Sequence, residues 1–400
     1  MGPKHDTYEQ KLPIGANAMS KNWRDETICQ HLAEDYRFEG AVVAPIFQNS
    51  LFVQLEAEKF YNRQQDPSLF DYTRVSNPTT DIAERKISAL EKTDKCRLFT
   101  SGMAAITAAI MSCTKAGDHI VCTSFAYGPT KQFLSDYFPR FGVQTTFVDG
   151  TVLNAIEGAI QPNTTLIFLE SPGTFYFQIQ DISAIASLAK SRGLSTIIDN
   201  SNATPIFQNP HTMGIDLVAH TVTKYLGGHS DIVAGAVCGN EERMQKLIYA
   251  EGVLLGANID PFAAWLLTRS LRTLHIRMER HQQSAKKVAN FLQNHTSVEH
   301  VWYPGLESHP GQELIKKQMR GISGLLSFEP KKQTKEYAFQ FCENLKLFQM
   351  GPSWGGHESL AIPLYDPDRD KWFFRLSIGL ENVEDLIEEI NQELENGGKC

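Results

Sequence analysis

The sequence predicts an α/β protein: a large domain built on a mostly parallel sheet, then a smaller C-terminal α/β domain. Three observations lead there. Apolar runs of about five to six residues alternate with helical patterns between residues 80 and 224, as strands of a parallel sheet buried on both faces do. Beyond about residue 260 the character changes, and two long helical patterns follow one another. At 400 residues the chain is also too long for one simple core.

In chain order, residues 1–65 read as an arm rather than a domain. They are polar up to Asp25, with a short helix expected near 27–35 and an extended piece over 41–47. Phe47, Leu51, Phe52, Val53 and Leu55 give this arm apolar surface to bury on another body. Residues 66–265 make the large domain. Helices are expected over 81–91, 103–113, 131–138, 153–160 and 182–192. Strands are expected over 118–123, 143–148, 165–170 and 195–199, and in the apolar run Ile215, Leu217, Val218 before Lys224. Residues 266–400 make the small domain, the boundary falling in the first of two long helices, 263–280 and 281–294. Strands near 324–328 and 373–376 and an acidic amphipathic helix over 383–395 complete it.

Composition narrows the function. Hydrophobic content of 42% and charged content of 21% describe an ordinary globular protein. A formal charge of −8 argues against a nucleic-acid or anionic-membrane surface. No apolar run reaches the length of a membrane span, and the stretch MGPKHDTYEQKLP lacks a signal peptide's apolar core, so a cytoplasmic protein is expected. The seven cysteines are scattered without C-x-x-C spacing, which fits reduced thiols. The twelve histidines show no metal-ligand spacing, so no metal is expected.

Lys224 is the most informative residue. It lies in Thr221-Val222-Thr223-Lys224-Tyr225-Leu226-Gly227-Gly228, where a buried strand gives way to a glycine-rich loop. An ammonium is costly to desolvate there. A desolvated lysine has a lowered pKa, becomes nucleophilic and forms a Schiff base with a carbonyl. Asp199 ends the preceding strand. Strand-terminal Lys and Asp are commonly just solvated charges. Together, at the carboxyl ends of neighbouring strands, they suit pyridoxal phosphate, with Asp199 holding the pyridinium nitrogen protonated and Lys224 taking the aldehyde.

Ser101-Gly102-Met103-Ala104 opens the Ala-rich helix, offering bare N–H groups to an anion as readily as it offers a simple cap. Neither G-x-x-x-x-G-K nor G-x-G-x-x-G occurs, which removes ATP and NAD. Thr221 and Thr223, at alternating spacing, could add hydroxyl donors to the same phosphate. Tyr127, in a turn after a strand, is either an ordinary turn tyrosine or a ring stacked on the pyridine.

These residues resemble the pyridoxal-phosphate enzymes of cysteine and methionine metabolism, the trans-sulfuration family. The matching segments are Tyr72-Thr73-Arg74 with Asn77-Pro78-Thr79, Ser101-Gly102-Met103-Ala104-Ala105, Asp199-Asn200, Thr223-Lys224-Tyr225-Leu226-Gly227-Gly228-His229-Ser230-Asp231 and Arg375-Leu376-Ser377-Ile378-Gly379. The resemblance implies fold type I, the aspartate-aminotransferase-like fold, with a mostly parallel seven-stranded sheet. It implies that Lys224 carries the cofactor and then shuttles protons, and that Asp199 pairs with the pyridinium. Gly102, Met103, Thr221 and Thr223 would cradle the phosphate, and Tyr127 would stack on the ring and assist proton transfer. Tyr72 and Arg74 would reach the phosphate of a neighbouring subunit, in a homo-oligomer that is a dimer of dimers, with residues 1–65 contacting that neighbour. Arg375 would clamp the substrate carboxylate, with Ser353, Trp354 and Tyr72 also at the substrate. Loss of Lys224, Asp199 or Arg375 would mark a non-catalytic binding module, and all are present.

Within the family, Glu170-Ser171-Pro172-Gly173-Thr174 and Ser353-Trp354-Gly355-Gly356 resemble bacterial-type cystathionine β-lyases. Asn77-Pro78-Thr79 is more typical of the γ-acting branch, and His357 departs from the aromatic residue usual at its position. The reading is β-elimination of cystathionine, or of cystine or a related cysteine S-conjugate, to a thiol such as homocysteine, pyruvate and ammonia. The alternative is a γ-acting member: a γ-lyase of cystathionine or methionine, cystathionine γ-synthase or an O-acetylhomoserine sulfhydrylase.

Overall fold

A computed structural model describes residues 23–34, 40–63 and 69–396. The polar stretch before Trp23, the end of the helix expected near 27–35 and Cys400 lie outside the described residues.

Seven strands form the large sheet: β1 (Lys95–Phe99), β2 (His119–Thr123), β3 (Gln144–Val148), β4 (Thr164–Glu170), β5 (Ser195–Asp199), β6 (Leu217–His220) and β7 (Gly235–Gly239). Their order is β1-β7-β6-β5-β4-β2-β3. All neighbours pair in parallel except β7, which runs against both β6 and β1. This is the mostly parallel sheet the sequence predicts.

Side chains alternate between two cores. Leu166, Phe168 and Ile197 face one buried cluster, and Ile167, Leu169 and Ile198 face the other. Helices cover both faces, which is why these strands read as unbroken apolar runs. On one face lies helix Pro78–Glu91, started by the Asn77 side chain accepting from Thr79 N–H, with Pro78 in the first turn. On the other lies helix Gly102–Ser112, capped by Ser101. Its alanines let it sit close on β7.

The differences from the sequence reading have local causes. β1 and β7 are not among the expected strands. Lys95 and Arg97 break the apolar run of β1, and β7 carries glycine where bulk is forbidden. A Cβ on Gly235 would lie 2.7 Å from the Ser101 carbonyl carbon. The helix expected over 131–138 is instead a short helix Gly128–Gln132, a π turn Phe133–Tyr137 and a 3₁₀ turn Phe138–Phe141 containing Pro139. The two long helices run Pro261–Leu271 and Leu274–Gln293, so the break falls near Thr273 rather than at 280. Arg277 explains the shift: it donates to Ser270 O at 3.0 Å, to Thr273 Oγ1 at 3.1 Å and to Tyr225 O at 2.6 Å.

The second sheet is antiparallel, in the order β10-β11-β9-β8, from β8 (Val298–Trp302), β9 (Leu325–Pro330), β10 (Leu360–Asp366) and β11 (Lys371–Ser377). Helices Lys335–Asn344 and Val383–Asn396 bury Phe341, Leu386 and Ile390 against it. Helix Leu274–Gln293 joins the two bodies. Leu274 and Met278 belong to the large core, and Ala285, Val288 and Leu292 to the small one.

The arm is anchored at one end. Fully buried Lys86 pairs with Glu34 at 3.1 Å and donates to Cys29 O at 3.0 Å. Residues 41–47 join neither sheet; Trp265 Nε1 donates to Ala44 O at 3.2 Å. Among the described residues, no helix is long and apolar enough to cross a membrane, and no group of His, Cys, Asp and Glu could hold a metal ion.

Candidate active site

Strand order brings β4, β5 and β6 side by side, with Glu170 opposite Asp199 and Asp199 opposite Ala219 in the register. Their carboxyl ends, the N-terminus of helix Gly102–Ser112 and a loop of the small sheet converge on Lys224. Lys224 Nζ donates to Ser353 Oγ at 2.7 Å and lies 5.3 Å from the Trp354 ring centroid. Burial, then the Arg375 charge, lowers its pKa to about 8, with Asp199 pulling the other way. The amine is therefore far closer to its neutral, nucleophilic form than an ordinary lysine.

Asp199 is buried, and burial raises its pKa, opposed by hydrogen bonds from Ser201 and by His220 and Lys224. Both Ser201 bonds land on Oδ1, from N–H at 2.9 Å and from Oγ at 2.5 Å. Ser201 Oγ in turn accepts from Thr221 N–H at 2.6 Å, fixing the start of the lysine loop to the acid. A carboxyl raised by desolvation gains most from a cationic partner.

Gly102 explains itself by contact. A Cβ there would overlap the Thr221 side chain, 2.8 Å from its Cβ. The bare helix start and the Thr221 hydroxyl thus share one small volume, with Met103 in the first turn. Such a terminus suits an anion. Thr223 behaves differently from Thr221: its hydroxyl donates to Ala234 O at 3.2 Å and accepts from Ala234 N–H at 3.0 Å. It closes the loop between β6 and β7, so the two threonine hydroxyls do not act alike in this structure.

Arg375, on β11, is buried and donates through Nη2 to Pro352 O at 3.2 Å and Ser353 O at 3.1 Å. Among the described residues its Nε is buried without a partner. Desolvation lowers its pKa to about 10, leaving it charged at neutral pH. A buried guanidinium with unspent donors is suited to a carboxylate ligand. Tyr127 is 41% exposed, with its N–H donated to Glu170 Oε2 at 2.7 Å. Tyr225, beside Lys224, carries the Trp354 ring at 5.5 Å.

Tyr72 and Arg74 are not brought to this cluster. Arg74 lies over the Tyr72 ring at 5.4 Å and donates to Val253 O at 2.8 Å. Among the described residues neither forms a hydrogen bond, ion pair or ring contact with Lys224, Asp199 or Arg375 of its own chain. Asn77 is spent on capping its helix and on donating to Phe47 O at 2.8 Å. The sequence places Glu170 in a segment resembling β-lyases without giving it a role of its own, and gives none to Ser201. Glu170 was visible as an acid at a strand end, but Ser201 had no signal outside the fold.

A neutral-leaning lysine, a buried acid, a helix start and a carboxylate-ready arginine in one pocket fit pyridoxal phosphate and an amino acid. The comparisons agree. The family model for Cys/Met metabolism PLP-dependent enzymes matches residues 26–395. A cystathionine gamma-lyase of Bacillus subtilis is 38% identical over 370 residues, 89% of this chain and 95% of that protein. The cystathionine beta-lyase MetC of the same organism is 36% identical over 393 residues, 94% of this chain and 98% of that protein. The crystal structure of metB from Corynebacterium glutamicum superposes with a TM-score of 0.88 at 35% identity, covering 94% of this chain and 99% of that one.

Proposed function

Because the chain belongs to the Cys/Met metabolism PLP-dependent enzyme family, we propose that it is a carbon–sulfur lyase acting by β-elimination on cystathionine or a related cysteine S-conjugate. Pyridoxal 5'-phosphate is the family's cofactor, and when bound it supplies an electron sink for charge developing at the substrate Cα. Lys224 would hold its aldehyde end, Asp199 its ring nitrogen, and Gly102, Met103 and Thr221 its phosphate. Thr223 supports that cradle by fixing the loop.

The remaining work falls to side chains. Arg375 binds the substrate carboxylate through its free donors and so fixes the direction of the Cα–H bond. The Lys224 amine, when not engaged with the cofactor, would accept the Cα proton, and burial favours its neutral form. Loss of that proton and of the thiolate from Cβ leaves an enamine, which water converts to pyruvate and ammonia. Tyr127 sits beside the pocket, where its hydroxyl can give a proton to the departing sulfur.

The observation that carries the β-reading is Trp354, whose ring stands 5.3 Å from the Lys224 amine and braces against Tyr225. That ring narrows the pocket beside the carboxylate clamp, which favours a leaving group at Cβ. The γ-acting reading is supported by the B. subtilis gamma-lyase, about as similar as the beta-lyase. The sequence feature on that side, Asn77-Pro78-Thr79, has its polar groups engaged in starting a helix. Product analysis with L-cystathionine and cofactor-loaded protein tests the choice. Pyruvate with homocysteine is expected; 2-oxobutyrate with cysteine would move the protein to the γ-lyases.

A further inference from the structure

Glu170 is a buried carboxyl at the end of β4, and among the described residues no lysine, arginine or histidine forms an ion pair with it. Burial, and then the neighbouring Asp199, raise its pKa. An acid in such a place is costly unless hydrogen bonds need it. It accepts two: Tyr127 N–H at 2.7 Å on Oε2, and the Thr174 hydroxyl, closer still, on Oε1. Tyr127 has little else to fix it. Its ring makes no aromatic contact among the described residues, and its other backbone bond only begins the helix that follows.

Thr174 belongs to a strap between the two sheets. Gly173 N–H donates to Gln178 O at 3.0 Å, and Gly173 abuts Phe125, leaving 2.7 Å between its would-be Cβ and the Phe125 ring. The next residue, Phe175, accepts from Ser327 Oγ at 2.8 Å and meets the Phe373 ring edge-on at 6.2 Å. Ser327 is the residue paired with Arg375 across β9 and β11. One side of Thr174 therefore holds the acid behind Tyr127, and the other leads to the strand bearing the carboxylate clamp.

We propose that Glu170 and Thr174 are positioning residues that hold the Tyr127 turn at the pocket, and that the strap ties this hold to the Arg375 strand. The proposal rests on the lyase reading only in placing Tyr127 against the cofactor. The test compares wild-type holoenzyme with Thr174→Val, which removes one hydroxyl at nearly constant shape, and Thr174→Ser, which keeps it. Visible circular dichroism of the bound cofactor reports the ring's surroundings, and kcat and KM are read with L-cystathionine.

Thr174→Val is expected to alter the cofactor's dichroic band and to lower kcat roughly tenfold, the size of one lost hydrogen bond to a carboxylate. Thr174→Ser restores both. In a Tyr127→Phe background, Thr174→Val should cost less than it does alone, because the two act as one unit. Glu170→Gln gives the same readouts should Thr174→Val fold poorly. A Thr174→Val protein with lowered Tm but wild-type dichroism and kcat would overturn the proposal and leave the lyase reading standing. A wild type that binds no cofactor would overturn both.

Discussion

Lys224 Nζ donates to Ser353 Oγ at 2.7 Å, joining the end of the large sheet to the loop before β10. The same loop gives its Pro352 and Ser353 carbonyls to Arg375. The amine that would take the Cα proton and the guanidinium that would hold the carboxylate are thus referred to one short segment. Removing the amine removes both cofactor attachment and base. Lys224→Ala should lose the visible cofactor absorbance and all measurable turnover. A variant that kept either would disprove the assignment.

The depressed pKa of Lys224 carries a pH dependence. At about 8, the amine is neutral in roughly one molecule in ten at pH 7, against fewer than about one in a thousand for an unperturbed lysine. Uptake of pyridoxal phosphate by apoprotein should therefore rise about tenfold per pH unit below 8 and level off above it. The sign for stability follows from linkage. Between the folded value near 8 and the higher unfolded value, the unfolded chain binds more protons, so apoprotein stability gains from this group as pH rises through that window. Stopped-flow absorbance across pH 6 to 10 (about two units on either side of the folded value) checks the first; uptake still climbing unchanged past pH 9 would refute the lowered value.

Much of this site could be read from the sequence because its chemistry is carried by residues that are out of place locally. Lys224 after an apolar run and Asp199 at a strand end contradict the burial rule, and such contradictions mark function. Arg375 was legible only through resemblance, since nothing in R-L-S-I-G by itself announces a clamp. β1 and β7 were missed because their identity as strands comes from partners: the Gly235 contact with Ser101 fixes β7, and no period in GAVCG shows it. Ser201 was missed for the same reason. Its hydroxyl matters only once β5 and β6 lie side by side.

Arg375 should divide cofactor binding from substrate binding. Among the described residues its Nε is buried and unpartnered, and only Nη2 donates a hydrogen bond. Arg375→Ala deletes charge-assisted bonds to the carboxylate, each worth about 1.5–3 kcal/mol, so kcat/KM should fall by about 100-fold or more. Arg375→Lys should recover little, because a point charge cannot reproduce the planar fork. Cofactor affinity should change only a few-fold. Titrating each variant with pyridoxal phosphate beside steady-state kinetics separates the two. Equal losses in both would place the carboxylate elsewhere.

Tyr72 and Arg74 lie apart from their own chain's Lys224, yet they sit amid exposed apolar surface. Leu51 is 54% exposed, Val53 75%, Leu55 95% and Leu254 78%. Contiguous exposure of this kind marks a protein–protein contact. The pair is therefore expected to serve a second copy's pocket, completing each phosphate site across a two-fold interface. An Arg74→Ala subunit then still owns a working lysine, and a Lys224→Ala subunit still owns a working arm. Co-refolded in equal amounts, half of the dimers are mixed, and each mixed dimer holds one pocket with both parts intact. Activity should recover to about one quarter of wild type, although each variant alone is nearly inactive. Mixtures no more active than their parents, or a fully active monomer on size-exclusion chromatography, would show that each pocket is complete within one chain.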